Sequence, residues 1–292
     1  MAILTVEHTT TYRYARPVQF NEHRLMCRPR DSHDLRLLST SLAITPPASV
    51  RWLHDVFGNS IAIAQFDGSA AELKFVSGFT AEHFPADAQD VAIEDYARAL
   101  PFNYAAEDVS DLGRTRERHY ADAEHRVDRW AKSFVAREDG TLAVLLAMTQ
   151  AIRHEFEYQR REEMGTQTPV ETLQQNSGSC RDFALLMMEA VRSLGLAARF
   201  VSGYLYDGSR AGVTGGGATH AWVQVYLPGA GWIEFDPTNG IAGGRNLLRV
   251  AVARDAAQAA PLTGSYIGAP ADYLGMTVEV KVNVAATEIV AA

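Results

Sequence analysis

From Ile3 to about Phe84 the chain reads as strands: Thr5 to Tyr14 alternates polar and apolar positions with many β-branched and aromatic residues, and Phe57-Gly58-Asn59 supplies a turn before Ile61 to Phe66. This pattern predicts an all-β domain over residues 1–85, arranged as a sandwich. Residues 86–135 are rich in Ala, Asp, Glu and Arg, with helices predicted at Asp95 to Leu100 and Tyr120 to Val135 and a break at Pro101. They are expected to form a mostly exposed connecting segment. A second domain, residues 136–292, opens with a predicted helix from Thr141 to Phe156, where Leu142, Leu145, Met148, Thr149, Ile152 and Phe156 recur at helical spacing.

A polar loop runs on to about Asn176, and a second helix follows with the apolar stripe Phe183, Leu186, Met187, Ala190, Val191 and Leu194, closed by Gly195. Three strands are predicted after it: Arg199 to Tyr206, Ala221 to Leu227 and Trp232 to Phe235, the last two joined by the hairpin signal Pro228-Gly229-Ala230-Gly231. Helices first and strands afterwards predict an α+β domain with a mostly antiparallel sheet, to which a final strand, Thr277 to Val284, could add an edge.

Composition narrows the function. The 292 residues are 47% hydrophobic, enough for a substantial core, and the formal net charge of -8 argues against a nucleic-acid or anionic-membrane partner. The basic run Arg114, Arg116, Arg118 is interrupted by Glu117 and reads as a solvated face. No secretory signal or membrane anchor is visible near Met1, so cytoplasmic residence is the expectation. With only two cysteines, Cys27 and Cys180, a disulfide framework and a cysteine-only zinc site are both excluded.

Cys180 stands at the start of the second predicted helix, three residues before Phe183. Unpaired N–H groups and the dipole at a helix N-terminus favour a thiolate there, and a nearby imidazolium favours it further. The Cys180 N–H is then free to donate to an oxyanion, and the small residues Gly178 and Ser179 let a substrate carbonyl approach. His220 follows the glycine-rich stretch Gly215-Gly216-Gly217 and begins a strand; the hairpin brings the end of the next strand, Asp236, to within roughly 7 Å of it. Whether both point to one face depends on a single-residue choice of register. In that order the three residues describe a nucleophile, a base and its orienter.

Four blocks carry a resemblance: Gly178-Ser179-Cys180-Arg181-Asp182-Phe183-Ala184, Ala198 to Tyr204, Thr219-His220-Ala221-Trp222, and Trp232 to Thr238. With them the chain resembles the bacterial transglutaminase-like cysteine proteases, of the superfamily that includes animal transglutaminases and is distantly similar to papain. Tyr12 to Val18, Arg28-Pro29-Arg30 and Asp55 to Asn59 resemble the β domain that precedes this core. The resemblance implies a papain-like core with helices on an antiparallel sheet, Cys180 as nucleophile, His220 as general base and then acid, and Asp236 as the group holding the imidazole. It implies attack on an amide of a peptide or protein substrate through a thioester acyl-enzyme. Water as acceptor would make a peptidase or amidase, the outcome the resemblance favours, and an amine a transglutaminase; neither reaction needs a metal or organic cofactor. A binding or scaffolding protein on the same fold is the rival from another class, and oligomeric state is open.

The other candidates are weaker. His23 and Cys27 lie four apart but in a strand-like region, where core filling is the expectation. Gln174 could supply a second oxyanion donor, as papain's glutamine does. Trp222 and Trp232 are expected in the core rather than in a substrate groove. Gly212 to Gly217 lacks the strand and helix of a phosphate loop and suggests a lid beside His220.

Overall fold

The computed structural model describes residues 2–85, 91–161, 165–206 and 219–285. The first six strands are β1 (Ala2–Phe20), β2 (His23–Arg28), β3 (Leu35–Thr45), β4 (Ala48–His54), β5 (Ser60–Phe66) and β6 (Ser69–His83). They form two antiparallel sheets, β1-β6-β3 and β2-β5-β4. Alternation is the cause: Leu73, Phe75, Phe79 and Ala81 of β6 share one face and are all buried. Leu73 and Phe75, near one end, pack with Leu25, Cys27, Ala62 and Ala64 to close the sandwich.

Phe79 and Ala81, near the other end, pack with Leu4 and Val6 against Tyr204, Tyr206, Leu248 and Val250 of the second domain. The long strands therefore serve two cores from one face. The expected β-sandwich is present.

The next elements are α1 (Ala106–Leu112), α2 (Arg126–Val135), α3 (Thr141–Glu155), β7 (Glu157–Tyr158), α4 (Pro169–Gln175), β8 (Ser177–Gly178) and α5 (Cys180–Ser193). Residues 95–97 form only a short 3-10 turn where the sequence suggests a helix through Leu100. The connecting segment is also less exposed than its composition suggests. Tyr104, Leu112, Val127, Ala131 and Phe134 all enter the main core.

The reason lies on α5, which buries both Glu189 and Arg192. Glu189 accepts the N–H groups of His119 and Tyr120 and pairs with Arg192 at 3.0 Å. Arg192 donates to the carbonyls of Thr115, Ala198 and Arg254. A buried ion pair left without such partners would cost several kcal/mol. The helix therefore holds the connecting segment against itself. Gly195, at φ +85°, ends α5 in the left-handed conformation that glycine adopts freely.

A five-stranded antiparallel sheet follows in the order β12-β11-β10-β9-β13, built from β9 (Ala198–Leu205), β10 (Thr219–Leu227), β11 (Gly231–Asp236), β12 (Ile241–Ala242) and β13 (Leu247–Ala253). Ala221, Val223, Val225 and Leu227 alternate along β10 and pack in one core with the apolar residues of α5. The fold is α+β, as the order of elements predicts.

The last strands, β14 (Leu262–Thr263), β15 (Tyr266–Ile267) and β16 (Tyr273–Ala285), do not stay with the second domain, where the sequence reading puts residues 136–292. β16 pairs with β1 from Ile3↔Ala285 to Tyr14↔Tyr273, β15 pairs with Gln19 and Phe20, and β14 pairs with β2. The 19-residue β1 has a second edge that needs a partner, and the chain returns to fill it.

The turn Asp55 to Asn59 helps join the two domains. Asp55 Oδ1 accepts the N–H groups of Phe57 and Asn59, and Gly58 takes φ +74°. Asn59 is thereby aimed at β13, donating to the Val252 carbonyl at 2.6 Å and accepting the Val252 N–H at 2.9 Å.

Candidate active site

Cys180 is the first residue of α5 and is 8% exposed. The segment before it is fixed on both sides. Glu157 and Tyr158 of β7 pair in parallel with Ser177 and Gly178 of β8, and Gln159 N–H donates to Gly178 O at 2.8 Å. Asn176 takes φ +48°, which a short polar side chain tolerates. Asp182, fully buried, gathers the turn: its Oδ2 accepts the Ser179 N–H and hydroxyl at 2.8 Å each, and its Oδ1 accepts Gln167 N–H at 2.7 Å and Arg161 Nη1 at 3.0 Å. A Cβ on Gly178 would come within 2.9 Å of the Asp182 Cβ. As the first residue of the helix, Cys180 has an N–H with no intrahelical acceptor.

His220 and Asp236 meet through strand register. Val223 pairs with Phe235, which puts Asp236 across from Trp222 and diagonal to His220 on the same face. Asp236 Oδ2 accepts from His220 Nε2 at 2.8 Å, and both side chains are fully buried. The carboxylate is held by two more donors: the Thr238 N–H to Oδ1 at 2.9 Å and Asn239 Nδ2 to Oδ2 at 2.8 Å. With Nε2–H committed to Asp236, the other ring nitrogen, Nδ1, is left for the thiol. Nδ1 has no partner within hydrogen-bond limits among the described residues, while the Cys180 sulfur lies close enough to influence the ring, so the thiol–imidazole contact is a loose one.

Burial works against a charged ring, but Asp236 and then Cys180 outweigh it and raise the His220 pKa to about 10. The ring therefore holds its proton at neutral pH.

The same face continues inward. Trp222, fully buried, stacks on His220 with centroids 5.9 Å apart, and its indole N–H donates to Glu234. Glu234 also accepts Gln224 Nε2 at 2.6 Å and Arg249 Nη1 at 2.5 Å, and Arg249 reaches Asp34 of the first domain at 3.1 Å. Gly203 pairs with His220 across β9, where a Cβ would meet the Leu248 carbonyl at 2.1 Å and the Trp222 ring at 2.7 Å. Glu234, Gly203 and Asn239 escape a reading of the sequence for chemistry. For the first two, the signal is their place inside blocks already marked by resemblance.

The remaining candidates separate. Trp222 is a core residue. Trp232 is half-buried beneath the Arg199 guanidinium. His23 and Cys27 are both buried in β2, with His23 Nδ1 bonded to the Asn21 carbonyl at 2.8 Å, and no cluster of metal-binding side chains occurs among the described residues. Gln174 is exposed on the last turn of α4. α4 stands where the sequence pattern predicts a polar loop, although Thr168-Pro169-Val170-Glu171 carries the capping-box and N1-proline signature that forms there. The glycine-rich stretch suggested as a lid, Gly212 to Gly217, lies outside the described residues.

Comparison with known proteins follows the same two-part division. Residues 4–82 match the model of the bacterial transglutaminase-like N-terminal region, and residues 128–237 match that of the transglutaminase-like superfamily. An uncharacterized protein of Mycobacterium leprae is 28% identical over 281 residues, 95% of this chain and 98% of its own length. One from Mycobacterium tuberculosis is 29% identical over 279 residues, 89% of this chain and 86% of its own length. A solved structure described as a candidate cysteine protease from Cytophaga hutchinsonii superposes with a TM-score of 0.73 at 20% identity, covering 99% of this chain and 92% of that one.

Proposed function

The chain belongs to the transglutaminase-like superfamily, with the bacterial transglutaminase-like N-terminal region ahead of the core, and on that premise we propose that it is a cysteine-dependent acyl-transfer enzyme, most simply a peptidase or amidase. The observation that carries this reading is the buried His220–Asp236 pair, bonded at 2.8 Å through Nε2, with Nδ1 left unpartnered beside Cys180.

In the proposed reaction the Cys180 sulfur attacks an amide carbonyl while the Cys180 N–H donates to the oxyanion. The His220 Nδ1 proton passes to the leaving amine, leaving a thioester on Cys180. His220 then takes a proton from water, whose oxygen attacks the thioester; breaking of the C–S bond releases the acid and leaves the Cys180 thiolate beside the His220 imidazolium, restoring the starting pair. Asp236 keeps the ring in the tautomer both steps need. An amine in place of water would turn the same site to transamidation; hydrolysis is the reading in keeping with the description of the Cytophaga protein.

Mass spectrometry of the protein incubated with a peptide library, with and without a competing primary amine, tests both parts. A mass adduct on Cys180 that is absent in Cys180→Ala is expected, discharged by water in the absence of amine. No adduct with any peptide would overturn the enzyme reading, and amide products formed only with the amine would replace hydrolysis by transamidation.

A further inference from the structure

Away from the Cys180–His220 site, a cavity of about 210 Å³ lies in the seam between the sandwich and the five-stranded sheet. Arg30, Asp31 and Phe57 line it from the first domain, and Arg199, Arg249 and Val252 from the second. Arg199 is held as a rigid plate. Its Nε donates to Gln224 Oε1 at 2.6 Å, and its guanidinium lies 4.1 Å from the centre of the Trp232 ring. Both Nη groups are left over, with no carboxylate in ion-pair range among the described residues. Among the described residues Arg30 also has no acidic partner, and its Nη1 donates to the Phe57 carbonyl at 3.3 Å.

The acidic groups nearby are engaged elsewhere. Glu234 and Asp34 both pair with Arg249, and the one carboxylate in the wall, Asp31, accepts the Leu37 N–H at 2.7 Å. Burial depresses the proton affinity of Arg199 to about 10, with Glu234 opposing and Arg249 and Arg30 adding to it. Two guanidinium groups without an acidic partner among the described residues, lining one partly buried cavity, call for an anion between them.

We propose that this seam is a binding site for a small oxyanion, a phosphate or carboxylate compound, clamped between the Nη edge of Arg199 and Arg30. A planar guanidinium fixed by stacking loses little freedom when it takes a bidentate oxyanion, so the fork on Arg199 is prepared in advance. The cavity admits a small molecule and not a folded partner. Because its walls come from both domains, a bound anion also ties the sandwich to the sheet.

The test is calorimetric titration and thermal denaturation of the full chain with inorganic phosphate, pyrophosphate and citrate, at constant ionic strength set by chloride. Saturable binding of at least one of the three, with one site per chain and a Tm that rises with anion concentration, is expected. Arg30→Gln, at an exposed position, should weaken that binding at least tenfold, and Arg199→Gln should abolish it. The order of the three anions then identifies phosphate or carboxylate as the preferred class. Absence of saturable binding above the chloride control for all three anions, or wild-type affinity in Arg30→Gln, would overturn the proposal.

Discussion

Replacing Asp236 by Asn keeps the size of the side chain and changes what it can accept. In the wild type three donors converge on the two carboxylate oxygens: His220 Nε2–H, the Thr238 N–H and Asn239 Nδ2. An amide offers one oxygen and one NH2, so either Thr238 or His220 is left facing a donor in a fully buried site. The imidazole escapes by moving its proton to Nδ1 and accepting through Nε2. That is the wrong tautomer for taking a proton at Nδ1, and the expected loss of turnover is about 10²- to 10⁴-fold, the range of general acid–base contributions.

The electrostatic part can be worked separately. A His220 pKa raised from 6.5 to about 10 corresponds to a preference for imidazolium on the order of 5 kcal/mol, in which Asp236 is the largest favourable contributor. Without that charge, burial dominates and the ring is neutral at pH 7. Because the folded-state value lies above the unfolded one, this stabilisation is fully present below about pH 6.5 and is lost as pH rises through about 10. The gap in Tm between wild type and Asp236→Asn should be widest near pH 6 and narrow toward pH 10. Nitrogen-15 NMR of the imidazole reads the ring directly. A wild-type His220 that is neutral at pH 7, or an Asp236→Asn variant with wild-type turnover, would refute the reasoning.

Other expectations concern the supports of the site. Gly203→Ala drives a methyl group into the Leu248 carbonyl and the Trp222 ring; a cost of about 3 kcal/mol or more in urea denaturation is expected, with a lower kcat in any folded fraction because Trp222 stacks on His220. Asn59→Ala removes both side-chain bonds to Val252 and should cost about 2 to 3 kcal/mol; a denaturation midpoint equal to wild type would mean the turn does not join the domains. His8 and His83, bonded to the Tyr204 and Tyr206 hydroxyls, are lowered to about 4 by burial, so the stability they contribute is complete above pH 6.5 and lost as pH falls toward 4. His8→Gln should flatten that acid limb in a pH series of Tm values, and an unaltered limb would assign it to other groups. Thr168→Ala should cost about 1 kcal/mol through the lost cap of α4, measured by the same denaturation.

Periodicity alone determined a good deal. The apolar stripe from Phe183 to Leu194 fixed the central helix, and Gly195 its end, because burial of one face and the left-handed turn after it are both local properties. Alternation likewise fixed the strands around His220 and Asp236, and the two-residue side-chain period reduced their meeting to a choice between two registers. Only the tertiary structure made that choice, since the pairing of Val223 with Phe235 is set by packing on α5 rather than by either strand alone. It also decided what lies far apart in sequence. The return of Tyr273 to Ala285 to β1, and the rung between Asn59 and Val252, satisfy backbone groups whose partners no local pattern names. The polar file from His220 through Trp222 and Glu234 to Asp34 is of the same kind, for buried polar atoms must find partners wherever the fold supplies them.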